Sequence, residues 1–355
     1  MKVLVATATY PTPDRPSAGI FVRNQFRFFR RHATPDETFK LFKVRTTTRR
    51  KSRSWPLVIW ATLKFIPYFF RRFDIVHIHF LSPLAHAARI YRFLHPTTKL
   101  ILTIHGNDLR KVQNRPQRVK TRYIKTLTYF DEIILSGESL LPTVQKQLGL
   151  EQCRIICAGV DDLRFQVDPD CRKEFDFIFV GSFTRDNGLD ILISALEMLE
   201  EQEIRACFVG SGPLKKELQR AGHHLNLQIF VEVPQTRLRQ LYNSSRFLVF
   251  PVRGDSFGLV VSEAIHCGVP AIVYSGSGAS SQVRNNETGV TYKPNTPEQL
   301  SRVLLAAFNM ADSDYRVLSD CTRQANLEYS LSHTGTQLLK LYRQIAAEKE
   351  LHPVK

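Results

Sequence analysis

Short apolar runs of β type recur along this chain, each followed by a stretch of helical periodicity, and the rhythm starts twice. In the first half, residues 3–8 (VLVATA), 74–80 (DIVHIHF), 99–105 (KLILTIH) and 131–136 (DEIILS) read as buried strands. In the second half the same reading falls on 176–181 (DFIFVG), 204–210 (IRACFVG), 246–251 (RFLVFP) and 270–274 (PAIVY). Strands that alternate with helices imply parallel, doubly wound sheets. Between the two series lies DDLRFQVDPDCRKE (161–174), polar, turn-rich and weakly periodic, which reads as a linker. The expected architecture is α/β, with two Rossmann-like domains facing a cleft. The expected bounds are a first domain over 1–165, a second domain over 166–331, and a helix within 332–355 that packs back on the first domain. Helices are expected over Ile20–Arg31, from Pro213, and from about Ser332 to Glu350. In open α/β sheets, ligands bind outside the carboxyl ends of the strands, so the loops after each strand are where to look for a site.

The charge is unevenly placed. Residues 1–150 carry 27 Lys and Arg against 8 Asp and Glu, a net +19, while the remainder carries 22 against 25. A field of this sign attracts anionic lipid, phosphorylated lipids or nucleic acid. The cations are scattered over a βα pattern with no recognised nucleic-acid module, so no nucleic acid is expected as partner. The stretch Trp55–Phe70 is apolar but short, holds Lys64 near its middle, and contains Pro56 and Pro67, so it does not read as a membrane span. Trp55, Trp60, Phe65, Phe69 and Phe70 lie beside Arg49, Arg50, Lys51, Arg53, Arg71 and Arg72. This is the pattern of a segment that docks on an anionic membrane face, or of a core helix leading into the strand at Asp74. The six cysteines show no C-x-x-C spacing and read as reduced and structural, and no secretory signal is visible; a cytoplasmic location is expected. Asp168-Pro169-Asp170 has the D-x-D form of a metal motif but reads as an ordinary turn within the linker, and no metal or other cofactor is expected.

The most informative block is FPVRGDSFGLVVSEAIHCGVPAIV, residues 250–273. A strand ends at Pro251, a loop carries Arg253, Gly254 and Asp255, and a helix begins near Phe257. The N–H groups that open a helix lack internal partners and, with the helix dipole, form an anion site suited to a diphosphate. Gly258 is expected to let phosphate oxygens approach the backbone. Asp255 and Glu263, eight residues apart, fall roughly on one helix face. An acid beside a phosphate site suits sugar or ribose hydroxyls better than phosphate. The alternative is that Asp255 caps the helix and Glu263 lies on its surface.

This block resembles the E-x7-E signature of the family-4 (group 1) retaining glycosyltransferases of the GT-B fold, with Asp255 in place of the first Glu. The resemblance covers nearly the whole chain: YPTPDRPSAGIFVRNQ, HGND (105–108), FVGSFTRDNGLDILISAL (179–196), VGSGPLKKEL (209–218) and Thr288-Gly289 follow in the family's order. It implies transfer of a sugar, with retention of configuration, from a nucleotide diphosphate sugar to a glycan or lipid-linked glycan. Glu263 would bind the ribose. Asp255, with the Phe257 and Gly258 backbone, would hold the transferred sugar, and the N–H groups of Leu259 and Val260 would meet the diphosphate. Gly210 and Gly212 would admit the nucleotide. Gly19, His105 and Asp108 would come from the first domain, His105 lying against the transferred sugar. Where the family carries Arg and Lys on the diphosphate, this chain has Ser182 and Asn187; Arg185 or Arg253 is the expected substitute. Ser280 and Ser281 replace the family's Pro-Glu pair. The missing cations also motivate an alternative, a catalytically weak or inactive GT-B subunit that binds sugar nucleotides or acts as a scaffold.

Overall fold

The computed structural model describes residues 1–12, 18–44, 63–106, 109, 112, 116–254, 257–325 and 328–351. The chain forms two compact units, one from residues 1–159 and 331–355, the other from 160–330.

Unit 1 alternates strands and helices: β1 (Lys2–Thr7), α1 (Ile20–His32), β2 (Thr38–Lys43), α2 (63–69), β3 (Ile75–His79), α3 (Pro83–Leu94), β4 (Lys99–Ile104), α4 (Gln117–Leu127), β5 (Glu132–Leu135), α5 (Leu141–Leu148) and β6 (Arg154–Ile155). The six strands make one parallel sheet in the order β2-β1-β3-β4-β5-β6. Side chains alternate across a strand, and both faces are apolar here, as helices on both sides of a parallel sheet require. Leu4, Ala6, Val76, Ile78, Leu100 and Leu102 face one core with Leu84, Ala88 and Tyr91 of α3. Val3, Val5, Ile75 and Ile101 face the other. That second core is closed by α1 and by the C-terminal helix Leu331–Leu351, through Leu338, Leu339, Tyr342 and Ile345. Gly335 lets this helix come close: a Cβ there would stand 2.6 Å from the Phe28 ring. Arg343 adds a two-pronged ion pair to Glu37, at 2.8 and 3.0 Å.

The stretch around Trp55–Phe70 is described only from residue 63. There Phe65 is fully buried, edge-on to Phe42 at 4.9 Å, and Phe69 is partly buried, so these two belong to the core of unit 1. Phe70, by contrast, is 85% exposed. The cations at Arg49, Arg50, Lys51 and Arg53, with Trp55 and Trp60, lie outside the described residues. Among those described, no helix is long and apolar enough to cross a membrane.

Unit 2 repeats the rhythm: β7 (Phe175–Val180), α6 (Leu189–Glu197), β8 (Arg205–Val209), α7 (Lys215–Ala221), β9 (Asn226–Phe230), α8 (Gln235–Asn243), β10 (Ser245–Phe250), α9 (Leu259–His266), β11 (Ala271–Tyr274), β12 (Gly289–Tyr292), α10 (Pro297–Phe308) and α11 (Asp312–Gln324). Its parallel sheet runs β12-β11-β10-β7-β8-β9. The unit begins at Val160, ahead of the polar 161–174 stretch, because Val160 bridges to Ser330 and Phe165 is buried edge-on against Tyr242, 6.0 Å away. Pro213 precedes α7 rather than opening it; the Lys215 N–H donates to the Gly212 carbonyl in the turn before the helix.

Candidate active site

In unit 2 the expected site residues gather at the carboxyl ends of β7, β8 and β10. After β10 the chain passes Pro251 and Val252 to Gly254, whose φ is 123°; Asp255 and Ser256 lie outside the described residues. Gly258 then opens α9 with φ 69° and ψ 71°, a left-handed conformation that favours glycine. Its missing side chain does not make room for phosphate, contrary to the expectation from sequence. A Cβ at Gly258 would stand 2.7 Å from the Phe250 ring and 3.2 Å from Ala279, so that space is already filled by the core. What remains for an anion is the helix terminus itself, which no side chain caps. The N–H of Val261 turns back to the Gly258 carbonyl at 2.9 Å, while Leu259 and Val260 sit half-buried at the first positions of α9.

Gln282, almost fully buried, clamps this turn. Its amide nitrogen donates to the carbonyls of Phe257 and Gly258, and its oxygen accepts from the Ser262 hydroxyl. Both carbonyls are thereby tied back toward the core, which leaves the N–H groups as the outward polarity of the turn. Ser280 and Ser281 serve only the short helical turn that carries Gln282: Ser280 Oγ donates to Ser275 and Ser277 carbonyls, and Ser281 Oγ to that of Gly278.

Glu263 is on α9 but not on its surface. It is 8% exposed, and the fully buried Tyr242 donates its hydroxyl to Oε2 at 3.0 Å. Burial pushes the Glu263 carboxyl up to about 7, against the smaller lowering effect of the Tyr242 hydrogen bond. The group is therefore poised near neutrality.

The cations separate into two roles. Arg253 is not available for phosphate, because its guanidinium grips Asp190 of α6 in a two-pronged pair at 2.8 and 3.0 Å and also donates to the Arg185 carbonyl. Burial alone would raise the Asp190 carboxyl, yet these bonds hold it below its ordinary value. Arg185 lies 3.8 Å from the same carboxylate with its side chain 74% exposed, so of the two it is the one whose guanidinium can reach outward. Asn187 closes the loop by donating from Nδ2 to the Ser182 carbonyl at 2.9 Å. Gly210 and Gly212 are required by protein rather than by ligand: a Cβ at Gly210 would stand 1.9 Å from the Gly181 carbonyl oxygen, and one at Gly212 2.5 Å from that of Phe183.

In unit 1, Gly19 caps α1 with φ 65°, and a Cβ there would stand 2.3 Å from the Thr9 carbonyl oxygen. Asp108 lies outside the described residues. His105 follows β4 and is buried among rings: Phe21 at 4.7 Å, Phe80 at 4.6 Å and His79, nearly parallel, at 5.9 Å. His79 in turn stacks on His77 at 4.3 Å. His77 is satisfied by the Tyr342 hydroxyl at 2.5 Å and by Thr103 at 2.7 Å. Among the described residues neither ring nitrogen of His79 finds a partner, and burial lowers its pKa to about 3. His105 is lowered well below the ordinary imidazole value by burial and then by His79. Phe80, next to His79, has φ 74°, a strained conformation for a bulky residue and one that clusters at functional sites. The sequence reading missed His77 and His79, although their spacing of two along β3 places both rings on one face.

Comparison with known proteins bears on the family and the fold. The description "Glycosyl transferases group 1" matches residues 163–322, and "Glycosyltransferase Family 4" matches residues 5–164. A Bacillus subtilis glycosyltransferase assigned to teichuronic acid biosynthesis, TuaC, is 25% identical over 242 residues, which is 65% of this chain and 60% of TuaC. A sucrose-phosphate synthase from Thermosynechococcus elongatus superimposes with TM-score 0.82 at 17% identity, over 98% of this chain and all of that one. The Anabaena protein HepE in complex with UDP gives TM-score 0.73 at 15% identity, over 97% of this chain and all of that one. The shared fold is GT-B, two domains each built on a parallel sheet.

Proposed function

Since the chain belongs to the group 1 glycosyltransferases, we propose that it moves a sugar from a nucleotide diphosphate donor to a hydroxyl of a glycan or lipid-linked glycan, retaining the anomeric configuration. The observation that carries this reading is the α9 terminus, uncapped by any side chain, in a turn whose Phe257 and Gly258 carbonyls are held by the Gln282 amide, with the buried Glu263 carboxyl on the same helix. Donor binding starts with the diphosphate on the Leu259 and Val260 N–H groups and the helix dipole. Arg185 supplies the exposed cation for the leaving group, where negative charge grows as the sugar departs. Glu263 accepts hydrogen bonds from ribose hydroxyls; in doing so it becomes the charged carboxylate, stabilised by those donors. His105, kept neutral by burial, offers a hydrogen-bonding edge to the transferred sugar. Asp255 completes the sugar site. The departing diphosphate takes part in deprotonating the acceptor hydroxyl, and no metal or organic cofactor enters the scheme. A cytoplasmic setting belongs to the same reading.

A panel of UDP-, GDP- and ADP-sugars, assayed for binding and for slow hydrolysis, tests the donor class. Turnover of one donor, with the anomeric form of the first product matching the donor, supports the proposal. Binding without turnover across all donor and acceptor pairs would point instead to a non-catalytic subunit.

A further inference from the structure

The surface of unit 1 carries a patch that the sugar-transfer reading does not use. α3 and α4 together contain six Lys and Arg and no Asp or Glu. On α3, Ile90, Phe93 and Leu94 are 46%, 86% and 49% exposed, and their spacing puts them on one stripe. α2 adds Ile66 at 39%, and Phe70 follows it at 85%. These helices adjoin: the Phe65 and Phe69 rings of α2 each lie 6.3 Å from Tyr91 of α3, and His95 Nε2 meets the Phe69 carbonyl at 2.7 Å. α4 lies on the other side, where His86 Nδ1 meets Thr126 Oγ1 at 2.8 Å. A groove of about 670 Å³ runs between α3 and α4, with Phe93 and Ile90 on one wall and Arg122 and Tyr129 on the other. Arg89 lies over the Tyr129 ring at 5.1 Å.

We propose that this face, the outer stripe of α3 with the end of α2 and the basic flank of α4, docks on the surface of an anionic lipid bilayer. The charge sign selects an anionic partner. The large apolar side chains Ile90 and Phe93 share the groove with Arg89 and Arg122, and Phe70 is followed in the chain by Arg71 and Arg72; together they select a partner that offers an apolar layer beneath its charge. A bilayer surface does so: ring and aliphatic side chains enter between headgroups while arginines stay at phosphate level. A nucleic-acid backbone would use the cations and leave Phe93 and Leu94 in water. The face is fixed in place from below, since Phe65 and Tyr91 on the inner sides of the same helices are fully buried, so docking needs no refolding. This proposal is independent of the donor chemistry, because membrane recovery requires no sugar nucleotide.

The test is co-sedimentation of the full chain with vesicles of phosphatidylcholine alone and of phosphatidylcholine mixed with phosphatidylglycerol, across a salt series. Recovery should require the anionic lipid and fall with salt to a remainder. Each cation near an anionic surface is worth about fivefold in affinity, so Arg89→Ser with Arg122→Ser should weaken binding about 25-fold at low salt. Ile90→Ser with Phe93→Ser should keep the salt-sensitive part and lose the remainder. Circular dichroism and soluble-donor turnover, expected to match the parent in both variants, show that folding is intact. Equal recovery of the parent protein on both vesicle types would overturn the proposal. So would parent-like binding by both variants, or binding to single-stranded RNA that resists Ile90→Ser/Phe93→Ser while vesicle binding is absent.

Discussion

Replacing Glu263 with Gln should make the protein more stable at alkaline pH, and the size of the gain follows from burial. Glu263 is 8% exposed and its carboxyl is pushed up to about 7, whereas in the unfolded chain it titrates near 4.5. A raised folded value means that folding favours the neutral acid. The favourable contribution is complete below the unfolded value and is lost as pH rises through the folded one. The cost of ionising this site is therefore under about 1 kcal/mol at pH 5 and about 3 kcal/mol at pH 8. The amide introduced by Glu263→Gln carries no charge at either pH and can still accept the Tyr242 hydroxyl. Relative to the parent, the variant should gain about 2 to 3 kcal/mol of stability in unit 2 between pH 5 and pH 8. Urea unfolding by circular dichroism at both pH values measures the gain, and hydrogen exchange of peptides from residues 160–330 assigns it to unit 2. Parallel pH dependence in parent and variant would refute the reasoning. If the same residue binds the donor ribose, the stabilised variant should also bind donor more weakly, losing a charge-assisted contact of roughly 1.5–3 kcal/mol.

Three further outcomes are expected. Arg185→Ala should lower sugar transfer about tenfold or more without affecting stability, whereas Arg253→Ala should cost about 1 kcal/mol in stability by taking the two-pronged partner from Asp190 and leaving it only the looser Arg185 contact at a partly exposed site; equal effects of the two on transfer kinetics would sink the division of roles. Gln282→Leu should destabilise unit 2 by about 1–3 kcal/mol, because two carbonyls lose their donor, and should raise the donor KM; unchanged donor KM in a folded variant would show that the turn does not hold the diphosphate. The buried imidazoles favour their neutral forms, so their contribution is present above the ordinary histidine range and lost as pH falls below it. His79→Leu should accordingly remove about 2 kcal/mol of the stability loss between pH 7 and pH 5, read from chemical denaturation at the two pH values.

The strands legible in the sequence are the central ones. β1, β3, β4 and β5 of unit 1, and β7, β8, β10 and β11 of unit 2, are buried on both faces and appear as continuous apolar runs. The four that the pattern does not single out, β2, β6, β9 and β12, are the edges of the two sheets. An edge strand has a neighbour on one side only, and its mixed burial, as in TFKLFK of β2, dilutes the apolar signal. The site divides the same way. The position of Glu263 on a helix after a glycine turn is legible from local spacing. That it is buried is not, because the wall that buries it includes Tyr242, 21 residues distant. Gln282 is invisible for the same reason, since its amide meets Phe257 from 25 residues away. Gly210, Gly212 and Gly258 look in the sequence like openings for ligand, yet each faces packed protein; sequence shows that a side chain is missing but not what occupies its place.

The discontinuity of unit 1 has a consequence for the order in which the molecule is made. Domains generally fold as units, the N-terminal one first as the chain emerges. Here β1 must wait for the helix Leu331–Leu351. Val3, Val5 and Ile75 are covered in part by Leu338, Leu339 and Tyr342, and those residues leave the ribosome only after all of unit 2. Unit 2 can close on itself while residues 1–159 still present an apolar sheet face, the kind of surface that holding chaperones bind. Proteolysis of a released chain truncated after residue 330 should find residues 160–330 protected and the earlier part of the chain still open to cleavage.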